Sequence, residues 1–203
     1  MTRDIWALEK KAIKKGFSKI AGIDEAGRGP LAGPVVSAAV ILPASFPVSG
    51  IRDSKKLTPK RRLDLYQEIY KHAITIGIGI VDPIEIDRIN ILQASLLSMA
   101  MSVENLEPLP DYLLIDGKFR ILSDLSQEAV IRGDSLSISI SAASIIAKVT
   151  RDKLMERYHQ DYPEFGFDKN KGYPTKIHKK AIREFGCSMI HRRTFKGVKE
   201  YDI

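Results

Sequence analysis

The run Ile20-Ala21-Gly22-Ile23-Asp24-Glu25-Ala26-Gly27-Arg28-Gly29-Pro30 constrains this chain more than any other stretch. A strand-like apolar segment ends in two adjacent carboxylates, and a Gly-Arg-Gly-Pro turn follows at once. Residues 35–42 are again apolar and β-branched, so the two segments read as the strands of a hairpin. Carboxylates at a strand end can hold a hard cation. Exposed glycine amides beside one arginine can hold a phosphate. Both within one turn point to chemistry on a phosphodiester.

The rest of the chain supplies a body for that turn. Its 203 residues, 44% of them hydrophobic and 28% charged, suit one globular domain with a small appendage. Residues 3–15 read as a short helix, with Thr2 as cap and Gly16 as stop. Residues 19–24 and 35–42 are strands. Thr58-Pro59 caps and opens a helix whose apolar stripe is Leu63, Tyr66, Ile69 and Tyr70. Residues 73–81 alternate Ile and Gly as a third strand. Asp82-Pro83 starts a short helix, and Asn90-Ile91-Leu92-Gln93 has the capping-box spacing that opens a longer one. Residues 112–115 are a buried strand and 129–132 a fifth. A helix over 139–158 turns Ala142, Ile145, Ile146 and Val149 inward, and a last helix covers 175–185. Three strands in a meander, then strands alternating with helices, predict an α/β fold: a mixed five-stranded sheet flanked by helices, with a helical C-terminal part. The expected division is a catalytic domain over 1–165 and a basic helical segment over 166–203 packed on it.

Charge is unevenly placed. Residues 168–200 hold ten Lys or Arg against three Asp or Glu, which accounts for the whole net charge of +7. A basic appendage on a neutral body suits a nucleic-acid partner. No apolar run reaches the ~20 residues needed to span a bilayer. The charged start and the single cysteine, Cys187, lead us to expect a cytoplasmic protein without membrane contact.

Asp24, Asp116 and Asp134 each close an expected strand near a glycine. Such ends lie side by side in a sheet, so the three can converge. Crowded carboxylates repel, and a divalent cation removes that cost. Glu25 needs a special arrangement. On a regular strand it points away from Asp24, so it joins the same site only if the strand distorts or its side chain reaches around the turn. Lys55 and Lys56, just before the Thr58 helix, can hold phosphate. His178 and His191 can shuttle protons, although histidines exposed in the basic patch are the commoner reading. Lys148, Arg151 and Asp152 follow Asp134 on the long helix, where Arg151 and Asp152 are expected to be structural rather than catalytic.

These motifs resemble type 2 ribonuclease H, ribonuclease HII. The likeness rests on Asp24-Glu25-Ala26-Gly27-Arg28-Gly29, Leu114-Ile115-Asp116-Gly117, Gly133-Asp134, and the run from Ser144 to Asp152. Ser54-Lys55-Lys56-Leu57 and Gly172-Tyr173-Pro174-Thr175 add to it, in order, from about residue 19 to 195. The resemblance implies that Asp24, Glu25, Asp116 and Asp134 bind two divalent ions, Mg²⁺ or Mn²⁺, and are the catalytic residues. It implies that Gly27, Arg28, Gly29, Lys55 and Tyr173 bind substrate. The Gly-Arg-Gly run and Tyr173 would read the RNA-to-DNA junction. The expected substrates are RNA–DNA hybrids and duplex DNA carrying single ribonucleotides, cut by a monomer to leave 3′-hydroxyl and 5′-phosphate ends. Type 3 ribonuclease H, another carboxylate nuclease of this fold class, and a non-catalytic nucleic-acid-binding module remain the rivals. Arg28 and the short segment before the first strand argue against the first of these. The strand-end acids argue against the last.

Overall fold

The computed structural model describes residues 4–47, 51 and 57–201. One five-stranded sheet runs in the order β3-β2-β1-β4-β5. Its strands are β1 (Ile20–Ala26), β2 (Val35–Ile41), β3 (Thr75–Val81), β4 (Tyr112–Asp116) and β5 (Ser126–Val130). The helices are α1 (Ala7–Lys14), α2 (Pro59–His72), α3 (Pro83–Glu104), α4 (Ile138–Asp161), α5 (Phe167–Asn170) and α6 (Lys176–Phe185). Strands β1, β2 and β3 are antiparallel neighbours, and β4 and β5 add in parallel on the other side of β1. The sheet is mixed and flanked by helices, as the sequence leads one to expect.

The strand period sorts the core into two layers. Ala38 and Val40 pack with Leu65, Ile69, Ala142, Ile145 and Ile146 beneath α2 and α4. Ala21, Ile23, Ala39 and Ile41 turn the other way, to Met99 and Val103 of α3. Gly22 sets how close α4 comes. A Cβ there would lie 2.1 Å from the carbonyl carbon of Ser139, so the first turn of α4 rests on bare backbone. Glu9 of α1 is buried against the same turn. Its Oε1 accepts from Ser137 Oγ (2.5 Å), Ser139 N (3.1 Å) and Ser139 Oγ (2.6 Å). A carboxylate at a helix N-terminus meets the positive end of the helix dipole.

Several expectations are corrected. Helix α1 starts at Ala7, because Asp4 accepts from the Trp6 amide and holds the chain in a turn; Thr2 lies outside the described residues. On α2 the expected stripe holds in part: Ile69 is buried and Tyr66 packs on the core, but Leu63 and Tyr70 are exposed and Leu65 is the other buried position. The i, i+4 pair Leu65 and Ile69 sets the inward face. Strand β5 begins three residues earlier than expected and ends at Val130; Arg132 is left-handed (φ 57°), so the chain has already left the sheet. In the region of α3 the two expected helices meet at Asn90 (φ 69°, ψ 162°), whose side chain accepts from Leu92 N and Gln93 N to start the second.

The C-terminal residues share a core with the turn after β1. Leu31 and Ala32 pack with Met155, Phe165, Phe167, Ala181, Ile182, Ile190 and Val198. Among the described residues no helix is long and apolar enough to cross a membrane.

Candidate active site

Parallel pairing places the acids. Ile23 of β1 is opposite Ile115 of β4, so Asp24 and Asp116 follow at neighbouring strand ends. Asp24 is buried, and its Oδ1 accepts from the Glu25 amide at 2.7 Å. Asp116 Oδ1 accepts from the Gly133 amide at 2.6 Å. Asp134 is buried one residue further on. It stands in a single 3₁₀ turn, Gly133–Ser135, and not at a strand end as expected. Its carbonyl accepts from Ser141 Oγ of α4 at 2.6 Å.

Glu25 reaches the site without distortion of β1. The β1–β2 ladder keeps its register through Ala26 opposite Val36, so Asp24 and Glu25 leave from opposite faces. The chain then turns sharply at Gly27 (φ 104°), where a Cβ would fall 2.2 Å from Arg151 Nε. Both carboxylates line one cavity of about 260 Å³ at that turn. Arg28 Nη1 lies 3.3 Å from Glu25 Oε1. Glu25 Oε2 is buried and meets no hydrogen-bond donor among the described residues.

Charge is concentrated here. Burial, then Glu25 and Asp116, push Asp24 well above the usual carboxylate range, against a lowering hydrogen bond from Ser144. Burial raises Glu25 as well; Arg28 lowers it and Asp116 raises it. Among the described residues no group of three or more His, Cys, Asp or Glu side chains stands at ligating distance. What converges is negative charge that Arg28 offsets only in part. An orphaned buried carboxylate oxygen beside two further acids fits a hard divalent cation.

The same cavity is lined by Gly27, Arg28 and Gly29 and by Tyr173, whose side of the site is partly exposed. A Cβ on Gly29 would sit 3.6 Å from the Tyr173 ring. The cations Arg62 of α2 and Lys148 of α4 complete the walls, with Lys148 Nζ 2.7 Å from Asp152. Thus six of the sequence-predicted residues share one cavity, with Asp116 and Asp134 adjoining through Gly133. Lys55 lies outside the described residues.

Beneath the turn lie two buried arginines that hydrogen-bond to carbonyls rather than carboxylates. Arg151 donates to Pro34, Ala32 and Lys171. Arg192 donates to Gly27 (2.6 Å), Arg28 (3.1 Å), Pro30 (2.9 Å) and Gly33 (3.0 Å). Burial lowers Arg151 to about 10 and Arg192 to about 9, the latter helped by Arg151. Arg192 had read as one more cation of the basic tail, Arg62 had carried no signal, and Ser144 had entered only as the first residue of the motif run on the long helix.

His178 and His191 correct the sequence reading: both are buried. Their Nε2 atoms are 3.0 Å apart, under Phe165 and Phe167. His178 Nδ1 meets the Tyr173 carbonyl at 2.9 Å.

Acids at parallel strand ends, a cavity beside them walled by acidic and basic side chains, and this sheet order define a nuclease of ribonuclease H type. Solved structures agree. Ribonuclease H2 from Pyrococcus horikoshii OT3 superposes with a TM-score of 0.76 at 28% identity, covering 91% of this chain and 97% of that one. The ribonuclease HII of Archaeoglobus fulgidus, solved in complex with PCNA, gives 0.77 at 28% identity over 88% of this chain and 96% of that one. The ribonuclease HII of Geobacter sulfurreducens is 55% identical over 197 residues, 97% of this chain and 91% of its own length. The family model for ribonuclease HII matches residues 21–198, and this chain belongs to that family, whose members cleave the RNA of RNA–DNA hybrids.

Proposed function

We propose that this chain hydrolyses the RNA strand of hybrids and also cuts 5′ of a single ribonucleotide embedded in duplex DNA, leaving 3′-hydroxyl and 5′-phosphate ends. Asp24, Glu25, Asp116 and Asp134 would hold two divalent ions, Mg²⁺ or Mn²⁺. When bound, such ions supply positive charge for the scissile phosphate and acidify water. The observation that carries this reading is the pairing of Asp24, held protonation-prone by burial and by its acidic neighbours, with the orphaned Oε2 of Glu25.

The chain's own residues then divide the work. Ser144 donates to Asp24, which holds that carboxylate in place. The Gly133 amide fixes one oxygen of Asp116. Arg28 neutralises part of Glu25 and lines the same cavity. Gly27, Gly29 and Tyr173 form a surface against which a 2′-hydroxyl distinguishes a ribonucleotide from a deoxyribonucleotide. Arg62 and Lys148 hold flanking phosphates, a contact that positions without reading sequence.

The test is cleavage of duplex DNA carrying one ribonucleotide, with and without Mg²⁺ or Mn²⁺, with the ends identified. A Mg²⁺- or Mn²⁺-dependent cut 5′ of the ribonucleotide is the expected result. Equal cutting of an all-DNA duplex would overturn the reading.

A further inference from the structure

Of the eight main-chain carbonyls from Gly27 to Pro34, seven accept hydrogen bonds from only two residues. Arg192 takes Gly27, Arg28, Pro30 and Gly33 through its guanidinium and Leu31 through its main-chain amide. Arg151 takes Ala32 and Pro34. Only the Gly29 carbonyl is outside this set. A guanidinium offers five N–H donors in a planar fork, and no other side chain can gather so many carbonyls.

The consequence is directional. With its carbonyls drawn inward, the segment turns its amides the other way. The amides of Gly27, Arg28 and Gly29 meet no acceptor among the described residues. Successive amides facing one way form an anion-binding concavity. The Leu31 amide also donates to the Gly172 carbonyl at 2.8 Å, which ties the segment to the Tyr173 turn.

We propose that Arg192 is a positioning residue for cleavage: by gripping the Gly27 and Arg28 carbonyls it holds the Arg28 and Gly29 amides, each opposite a gripped carbonyl in its peptide plane, toward the scissile nucleotide. This rests on the reading of that turn as the grip on the substrate. Arg192 itself is fully buried and touches no substrate.

Arg192→Lys keeps the charge but has one nitrogen in place of three. The experiment measures single-turnover cleavage of duplex DNA with one ribonucleotide, duplex affinity, and the thermal unfolding midpoint, with Arg28→Ala alongside. The expected result is cleavage slowed by about a hundredfold, with affinity within about threefold, since a displacement of roughly 1 Å at a reacting centre costs that much. Cleavage at the parent rate overturns the proposal. So does a deficit that vanishes on cooling far below the unfolding midpoint, which marks a purely structural role. If the parent cuts an all-DNA duplex as fast, it is the reading of the turn that fails. If Arg28→Ala is crippled and Arg192→Lys is not, only the positioning role fails. Should Arg192→Lys not fold, the amide resonances of Arg28 and Gly29 are followed in Asp24→Asn as uncleaved duplex is added. They should shift downfield, and unmoved resonances overturn the proposal.

Discussion

The Ser188 amide donates to His191 Nδ1 at 2.9 Å, and that one bond sets the protons of two histidines. His191 Nδ1 must accept, so its Nε2 carries the hydrogen and donates to His178 Nε2. His178 then carries its hydrogen on Nδ1 and donates to the Tyr173 carbonyl. Both rings are neutral, and a further proton would find two donors facing each other.

Acid should therefore destabilise the fold. Burial and the neighbouring His178 lower His191 to about 3, and burial lowers His178. The unfolded chain binds these protons near pH 6.5, so their stabilising contribution is complete above that value. It is lost as pH falls toward about 3. For His191 alone, linkage puts the loss at about 3 kcal/mol between roughly pH 6.5 and 4. Asp24 and Glu25 act in the opposite sense, since their raised values relieve repulsion in acid. Urea unfolding near pH 7 and near pH 4 should show a drop in the parent that is smaller in His191→Gln. Equal drops would rule out the neutral pair.

Asp24→Asn or Asp116→Asn should abolish Mg²⁺-dependent cleavage and leave the fold intact. Losing a ligand charge costs several kcal/mol of transition-state stabilisation. In the absence of metal, Asp24→Asn should also raise the unfolding midpoint, because the repulsion with Glu25 and Asp116 goes. Cleavage within about tenfold of the parent would remove Asp24 from the site.

Tyr173→Ala should slow cleavage at a lone ribonucleotide more than it weakens duplex binding, with Tyr173→Phe between. A stacked ring is worth about 1–3 kcal/mol on single strands. The ring is exposed beside Gly29, where it can meet a sugar or base. Single-turnover rates beside equilibrium binding check this. Parent-like behaviour in both would make Tyr173 a packing aromatic.

The basic segment cannot be tested by deletion, since Ala181, Ile182 and Val198 belong to a shared core and Arg192 holds the turn after β1. Replacing the exposed Lys179, Lys180 and Lys196 by Gln is the suitable variant. Each lost phosphate contact should reduce the salt slope of duplex binding by about one. An unchanged slope would show that these lysines face only solvent.

The acids and the Gly-Arg-Gly turn were legible because their residues are contiguous and lie at strand ends, which a two-residue period reveals. Asp134 was found beside Asp116, but its 3₁₀ turn was hidden because Ala129–Arg132 carries apolar side chains as a strand does. Arg151 was expected to be structural, as it is, but its partners and the role of Arg192 were illegible for a different reason: both bind carbonyls, which every residue has, so no side-chain pattern marks the pairing. His178 and His191 were misread because composition describes a segment and burial describes a residue.

Helix α4, with its cap Ser137, places Ser137, Ser141, Ser144, Lys148, Arg151 and Met155 at steps of three or four, along one stripe. In turn they meet Glu9, the Asp134 carbonyl, Asp24, Asp152, the Gly27–Pro34 segment and the C-terminal core. The helix is a ruler with six marks. A gain or loss of one codon inside it would rotate every later mark by about 100°. Substitutions can be absorbed one contact at a time, but a frame-preserving insertion here would uncouple the acids from the turn that faces them.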